Sequence, residues 1–396
     1  MLYNPTIDGR VLSSYEAYSR YGIEVFDEIY EYNTYLITKN YDEPASTFKD
    51  IRLDLGYSVQ ELSELTGLTI DIINSIENPR IKNSIDKLEH LSVFLGIDDK
   101  TISKEINYHH NRFALRLKAL SNSELTNLRE IKAILCKSSS IMNSIQYLYD
   151  SLYNKNDQKR CLFMYNNDYN DNNKYAYDYG YKLANEFRKK LNITGPIFDL
   201  TDLVRSVLKI PLLIIDLPPE ISAITLSTDS NIRGILINKK KNIISSFRNS
   251  LAHELCHVLY DGPKYMKSIN YEKETINNDS ELDFIEKRAN AFAVELLTPV
   301  EEIKYQLNDH NINELAEKYG VGPLSLILHI RNRLHIDVDQ STMDITRIDY
   351  LKYNFELDFK NTNSNNLYYI SLLKDALGHN LISKNTYDTY SELYGS

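Results

Sequence analysis

The stretch Phe247 to Tyr260 reads FRNSLAHELCHVLY and places His253, Glu254 and His257 in the order H-E-x-x-H. On an α-helix, positions four apart share a face, so both imidazoles could turn a ring nitrogen toward one metal ion. Glu254 sits one step round and could reach a water on that ion without ligating it. Two imidazoles, one further ligand, an open fourth position and a carboxylate base make the donor set of a hydrolytic zinc site. One Zn2+ per chain is therefore the expected cofactor. Leu251, Ala252, Leu255, Val258 and Leu259, with no Gly or Pro before Gly262, predict a buried helix around the motif.

The third ligand has to come from elsewhere. After a polar loop over 262–280, the run ELDFIEKRANAFAVELL (Glu281 to Leu297) predicts a helix. Glu286, Ala289, Asn290 and Ala293 share one of its faces, and the small residues allow close approach to the metal helix. Glu286 could complete the set. Glu281, Asp283 and Glu295 are rivals, the first two near a helix start, where acids complement the helix dipole.

The preceding chain supplies the elements that must hold this pair of helices. Tyr181 to Leu191 and Leu200 to Leu208 predict helices, followed by strands at Leu212–Asp216, Ala223–Ser227 and Gly234–Asn238. A small sheet before a zinc-binding helix is a zincin layout, and residues 232–238 are the expected edge that pairs with an extended peptide. Residues 99–173 predict a helical connector, a spacer or a helical pair suited to a homodimer contact. It ends in the polar run YNNDYNDNN (Tyr165 to Asn173). Residues 1–47 form a Tyr-rich segment of unread role. Residues 341–396 form a C-terminal helical extension, with helices over Tyr368–Leu377 and Asn385–Leu393.

Residues 48–98 predict four short helices. Ser58 and Glu61 form a capping box, Gly67 stops the second helix, Thr69 caps the third and Ser84 the fourth. Two short helices joined by a Gly-containing turn suit a helix-turn-helix. The candidate DNA contacts are Thr69, Asp71, Asn74, Ser75 and Arg80. Their chemistry is poor for phosphate, since the segment holds five basic residues against nine acidic ones, and phosphate contacts need Lys or Arg. The matching residues Ser58, Glu61, Leu62, Gly67-Leu68 and Ile76-Glu77-Asn78 resemble the XRE/Cro-repressor type of DNA-binding domain.

The whole chain has 396 residues, 42% hydrophobic and 25% charged, with a net charge of −10. This is a globular composition that argues against a general polyanion binder. Cys136, Cys161 and Cys256 are odd in number and widely spaced, which points to a reducing compartment and no disulfide framework. The N-terminus MLYNPTIDGR lacks a signal-peptide core and no run is long enough to span a bilayer, so a cytoplasmic protein without membrane contact is expected.

Three motifs together carry a second resemblance. The strand G-I-L-I-N (Gly234 to Asn238), the helix L-A-H-E-x-x-H (Leu251 to His257) and the block E-x-x-A-N-x-F-A-x-x-L-L-x-P (Glu286 to Pro299) make the run from Tyr181 to Leu334 similar to the ImmA/IrrE metallopeptidases. The resemblance implies that Glu286 is the third ligand. It also implies an XRE-type domain in front and, as substrate, a repressor or other regulator of a mobile element or stress response, encoded nearby. One departure is Cys256, where the family usually has Gly. The expected fold is therefore mainly α with a small β-sheet (α+β): an all-helical helix-turn-helix domain at 48–98 and a zincin-like domain at 174–340. The expected function is zinc-dependent endopeptidase. The alternatives are a transcription regulator whose zinc domain senses or scaffolds without cutting, and a toxin–antitoxin component.

Overall fold

A computed structural model describes residues 11–32, 44–81, 83–97, 114–116, 128–153, 173–228, 232–240, 243–261, 267–268, 279–338, 355–356 and 364–395. The fold is mainly helical around one small sheet. Two helices open it, α1 (Ser14–Tyr21) and α2 (Glu24–Tyr32), separated at Gly22, whose φ of 83° favours a residue without Cβ. Then come α3 (Ala45–Asp54), α4 (Val59–Thr66), α5 (Ile70–Ile76) and α6 (Ile85–Leu95). Their boundaries follow local chemistry. Ser58 and Glu61 close the capping box, Gly67 ends α4 in the left-handed region, and the Thr69 side chain accepts from the Ile72 amide. Leu62, Ile73, Ile76, Leu91 and Leu95 face inward.

The connector departs from expectation in two ways. Its described residues include a strand, β1 (Ala114–Arg116), and a long helix, α7 (Leu128–Leu152). Leu135, Ile145 and Leu148 of α7 are buried against residues of α3 to α6, of the sheet and of the C-terminal helices, so α7 is core and not spacer. Three residues sufficed for β1 because the sheet supplies its partners. That signal is too short to be seen along the sequence.

Helix α8 (Asn173–Lys190) starts eight residues earlier than its apolar pattern predicts. Next come a short turn, α9 (Leu200–Asp202), that runs into a π turn at Leu203–Val207, and strands β2 (Leu212–Ile215), β3 (Ala223–Ser227) and β4 (Arg233–Asn238). The motif helix α10 (Ile244–Tyr260) follows, then β5 (Lys267–Ser268), α11 (Asp279–Leu297), α12 (Val300–Gln306), α13 (Ile312–Tyr319) and α14 (Pro323–Leu334). Helices α15 (Ser364–Gly378) and α16 (Lys384–Gly395) end the described chain.

The strand order is β2-β4-β3-β1-β5, with β2 parallel to β4 and the other pairs antiparallel. This overturns the expectation that residues 232–238 form a free edge. Strand β4 lies inside the sheet, hydrogen-bonded on both sides, and all six of its residues are buried. Its unbroken apolar run is the signature of a strand covered on both faces. Gly234 is needed there, because a Cβ would stand 2.7 Å from the Pro211 carbonyl oxygen.

Side chains alternate across the sheet. Leu212, Ala223, Ile235 and Ile237 join the core formed with α8, α10 and α11, whereas Leu213, Ile224, Leu226 and Leu236 join the core formed with α3 to α7, α15 and α16. The two cores therefore share one sheet. Among the described residues, no helix is long and apolar enough to cross a membrane.

Candidate metal centre

Helix α10 is buried from Leu251 to Tyr260, so its His and Glu side chains are held by packing rather than left in solvent. His253 and His257 lie one turn apart with Nε2 atoms 3.0 Å from each other. Glu286, projecting from α11, brings Oε2 to 3.3 Å from His253 Nε2 and Oε1 to 3.8 Å from His257 Nε2. All three residues offer ligand atoms within 4.8 Å of one another.

This donor set fits a zinc ion. Bonds of ~2.0–2.1 Å in tetrahedral array separate ligand atoms by about 3.3 Å, in the middle of the observed spacings. Two imidazole nitrogens facing each other also need a shared cation or proton between their lone pairs. The Nδ1 of His257 is 2.8 Å from Asp261 Oδ2, which makes Nδ1 the protonated nitrogen and turns the Nε2 lone pair toward Glu286.

Asp261 is the residue that sequence reading missed. Its Oδ2 takes the His257 contact, its Oδ1 accepts from Arg288 of α11, and its backbone carbonyl accepts from Arg233 of β4. One residue thus ties α10 and α11 through its carboxylate, and the sheet through its backbone carbonyl, behind a single imidazole. The available signal was its position four residues after His257, the same spacing that identified the motif.

Glu254 directly follows His253 on α10 and is only 3% exposed. Its Oε2 accepts a 2.7 Å hydrogen bond from the Thr225 hydroxyl of β3. Thr225 is fully buried and faces α10 because Ile224 and Leu226 take the opposite face of the strand. The bond fixes one carboxylate oxygen.

The rival ligands are placed elsewhere. Glu295 is buried against His329 at 3.1 Å and Arg333 at 3.4 Å. Burial alone would raise its carboxyl pKa, but His329 and Arg333 outweigh that and hold it below the usual range. Asp283 is exposed and pairs with Lys287 on its own helix. The Glu281 side chain lies outside the described residues. Cys256 is buried in the core, outside the ligand group, and burial pushes its thiol up to about 12, in the range of an inert packing cysteine.

Close approach of the helices sets Glu286 in place. Ala289 and Ala293 are fully buried, as their size predicted. The tightest contact is with α8, where a Cβ on Gly180 would meet the Arg288 carbonyl oxygen at 2.2 Å. At its N-terminal end, α10 is anchored by Arg248. That guanidinium is wholly buried and donates to Glu356 Oε1 at 2.7 Å, to the Ile197 carbonyl at 2.6 Å and to the Gly320 carbonyl at 3.1 Å. Glu356 in turn accepts from the Leu200 and Thr201 amides.

The candidate DNA contacts are distributed unevenly. Asp71, Asn74 and Arg80 are exposed. The side chain of Thr69 caps α5, and the Ser75 hydroxyl donates to Ile72 and Asn83.

No curated protein and no solved structure matches the chain. Residues 206–330, from the π turn through the sheet and α10 into α14, match the family model described as the IrrE N-terminal-like domain, Peptidase_M78, and this supports a metallopeptidase of the IrrE/ImmA type.

Proposed function

We propose that the chain is a zinc-dependent endopeptidase that cuts another regulatory protein. The observation that carries this reading is the convergence of His253, His257 and Glu286 on one point, next to a buried Glu254 that is not part of the ligand group. His253, His257 and Glu286 would hold the zinc ion, which would supply Lewis-acid polarisation of a scissile carbonyl and a lowered water pKa of ~7. The rest of the chemistry belongs to the chain. Thr225 holds Glu254 Oε2, which leaves Oε1 to take a proton from water and return it to the departing amine. Asp261 keeps His257 in the tautomer that leaves Nε2 unprotonated.

Residues 48–98 act, in this proposal, as an XRE-type module that brings the enzyme to its partner, the exposed Asp71 and Asn74 favouring a protein surface over phosphate. The substrate is a regulator encoded nearby, as the family resemblance implies. The test pairs zinc content with cleavage of neighbouring-gene products, for wild type beside Glu254→Gln. The variant should keep its zinc and lose cleavage by about 10²–10⁴-fold. A regulated phenotype that survives the substitution overturns the peptidase reading in favour of a zinc-bearing sensor or scaffold. A gel shift without a salt-dependent complex on upstream DNA counts against DNA as the partner of residues 48–98.

A further inference from the structure

Seven arginines are buried among the described residues: Arg20, Arg52, Arg188, Arg205, Arg233, Arg248 and Arg288. Six of them donate to a carboxylate, a carbonyl or a hydroxyl. Arg205 does not. Its side chain is 1% exposed, and Nε, Nη1 and Nη2 all lack an acceptor. The guanidinium carbon lies 5.6 Å from the Tyr369 ring centre and 5.8 Å from that of Tyr368. The Tyr369 hydroxyl exchanges hydrogen bonds with the Leu212 amide and carbonyl, at 3.0 and 2.8 Å, and the Arg205 guanidinium lies beside it without a hydrogen bond of ordinary geometry.

Ring faces attract a desolvated cation, but by less than it costs to take a guanidinium out of water, and they leave its donors to be satisfied. Two neutral tyrosines therefore do not account for it. Its surroundings hold further donors. The Tyr149 hydroxyl of α7 is buried and makes no hydrogen bond of ordinary geometry, with Tyr368 and Tyr369 beside it. Lys209 Nζ stands 3.7 Å from the Tyr153 ring centre and 5.7 Å from that of Tyr149. Asp202 acts on Lys209 and Asp375 on Tyr153.

We propose that Arg205, with Tyr149 and Lys209, binds a small oxyanion, a phosphate or carboxylate group, where the π turn meets α7 and α15. The π turn aims Arg205 there, and such turns recur at functional sites. A bound oxyanion would join the C-terminal helices to the first strand of the sheet, since Tyr369 is bonded to Leu212. This site is independent of the peptidase reading.

The test is thermal unfolding of the full chain titrated with sodium phosphate and, separately, with sodium acetate, at ionic strength matched by sodium chloride. Wild type should show a saturable rise in midpoint with one of the two, and which one names the anion. Arg205→Met should unfold at the same or a higher temperature without anion, because a buried unpaired charge has been removed, and should no longer respond. Tyr149→Phe, a milder change that keeps the fold if Arg205→Met does not, should raise the half-saturating concentration about tenfold through loss of one donor to a charged acceptor. The proposal is overturned if neither anion gives a saturable rise, or if the variants respond as wild type does, which would mark general salt stabilisation.

Discussion

The two faces of the sheet differ in how close their buried charge lies to it. On the α10 face, charges are numerous and each is tied to another: His257 to Asp261 and Arg288, Arg248 to Glu356, Glu295 to His329 and Arg333. On the α7 face, the layer around the sheet is leucine, isoleucine and tyrosine; the buried ion pairs Arg20–Glu89 and Arg52–Glu77 link helices to one another, and Arg205 is buried without an acceptor. A face that must fix ligand atoms to within a fraction of an ångström needs directional contacts, and charged hydrogen bonds supply direction that apolar packing does not. A face that only closes a core can rely on non-directional burial.

The comparison can be broken most strongly at Arg248. Glu356→Ala should destabilise the fold by about 3–5 kcal/mol, because it strands a fully buried guanidinium, and denaturant unfolding reads that loss directly. An effect under 1 kcal/mol would show that the pair does not anchor α10. Next in size is Gly180→Ala. Forcing a Cβ against the Arg288 carbonyl should cost about 1–3 kcal/mol. Because Arg288 is two residues from Glu286, zinc content should fall with it; unfolding and metal analysis on the same sample would separate a packing defect from a ligand defect. Asp261→Asn should weaken zinc affinity about 10–100-fold, measurable by competition with a chelator, and, because it removes the charge opposite buried Arg288, should also lower stability in denaturant unfolding. Acid titration sharpens the contrast further. Glu295 has a folded pKa below its unfolded value, so its stabilisation is complete above the unfolded value of ~4.3 and is lost as pH falls through the folded one. Glu295→Gln should remove that part of the acid-induced loss. Smallest of all, Asp71→Ala and Asn74→Ala, on the exposed face of α5, should change stability by less than about 0.5 kcal/mol and leave cleavage of a short peptide unchanged.

Legibility followed the range of the interactions. The caps at Ser58 and Thr69 and the stop at Gly67 are contacts within a few residues, and the structure carries them as the sequence predicts. The three long strands were legible from their β-branched and leucine runs, but their order was not. Strand β4 reads equally well as an edge or an interior strand until the parallel partner β2 is known. Thr225 was ordinary strand sequence; its role depends on a contact with a helix 29 residues away. Glu356 was one acid in a polar tail, and its partner lies 108 residues earlier.

The sequence by itself determined the helix that carries His253, Glu254 and His257, because a four-residue spacing converts directly into a shared helix face. It also narrowed the third ligand to the acids in and around α11. Only the tertiary structure decided among them, since proximity to both imidazoles is a property of how α10 and α11 cross and not of either helix alone. It brought Glu286 to the pair, turned Glu295 to His329, set Asp261 and Thr225 behind the reactive groups, and left Arg205 buried without an acceptor. Each of these outcomes depends on which faces pack together, and packing joins residues that have no fixed separation along the chain.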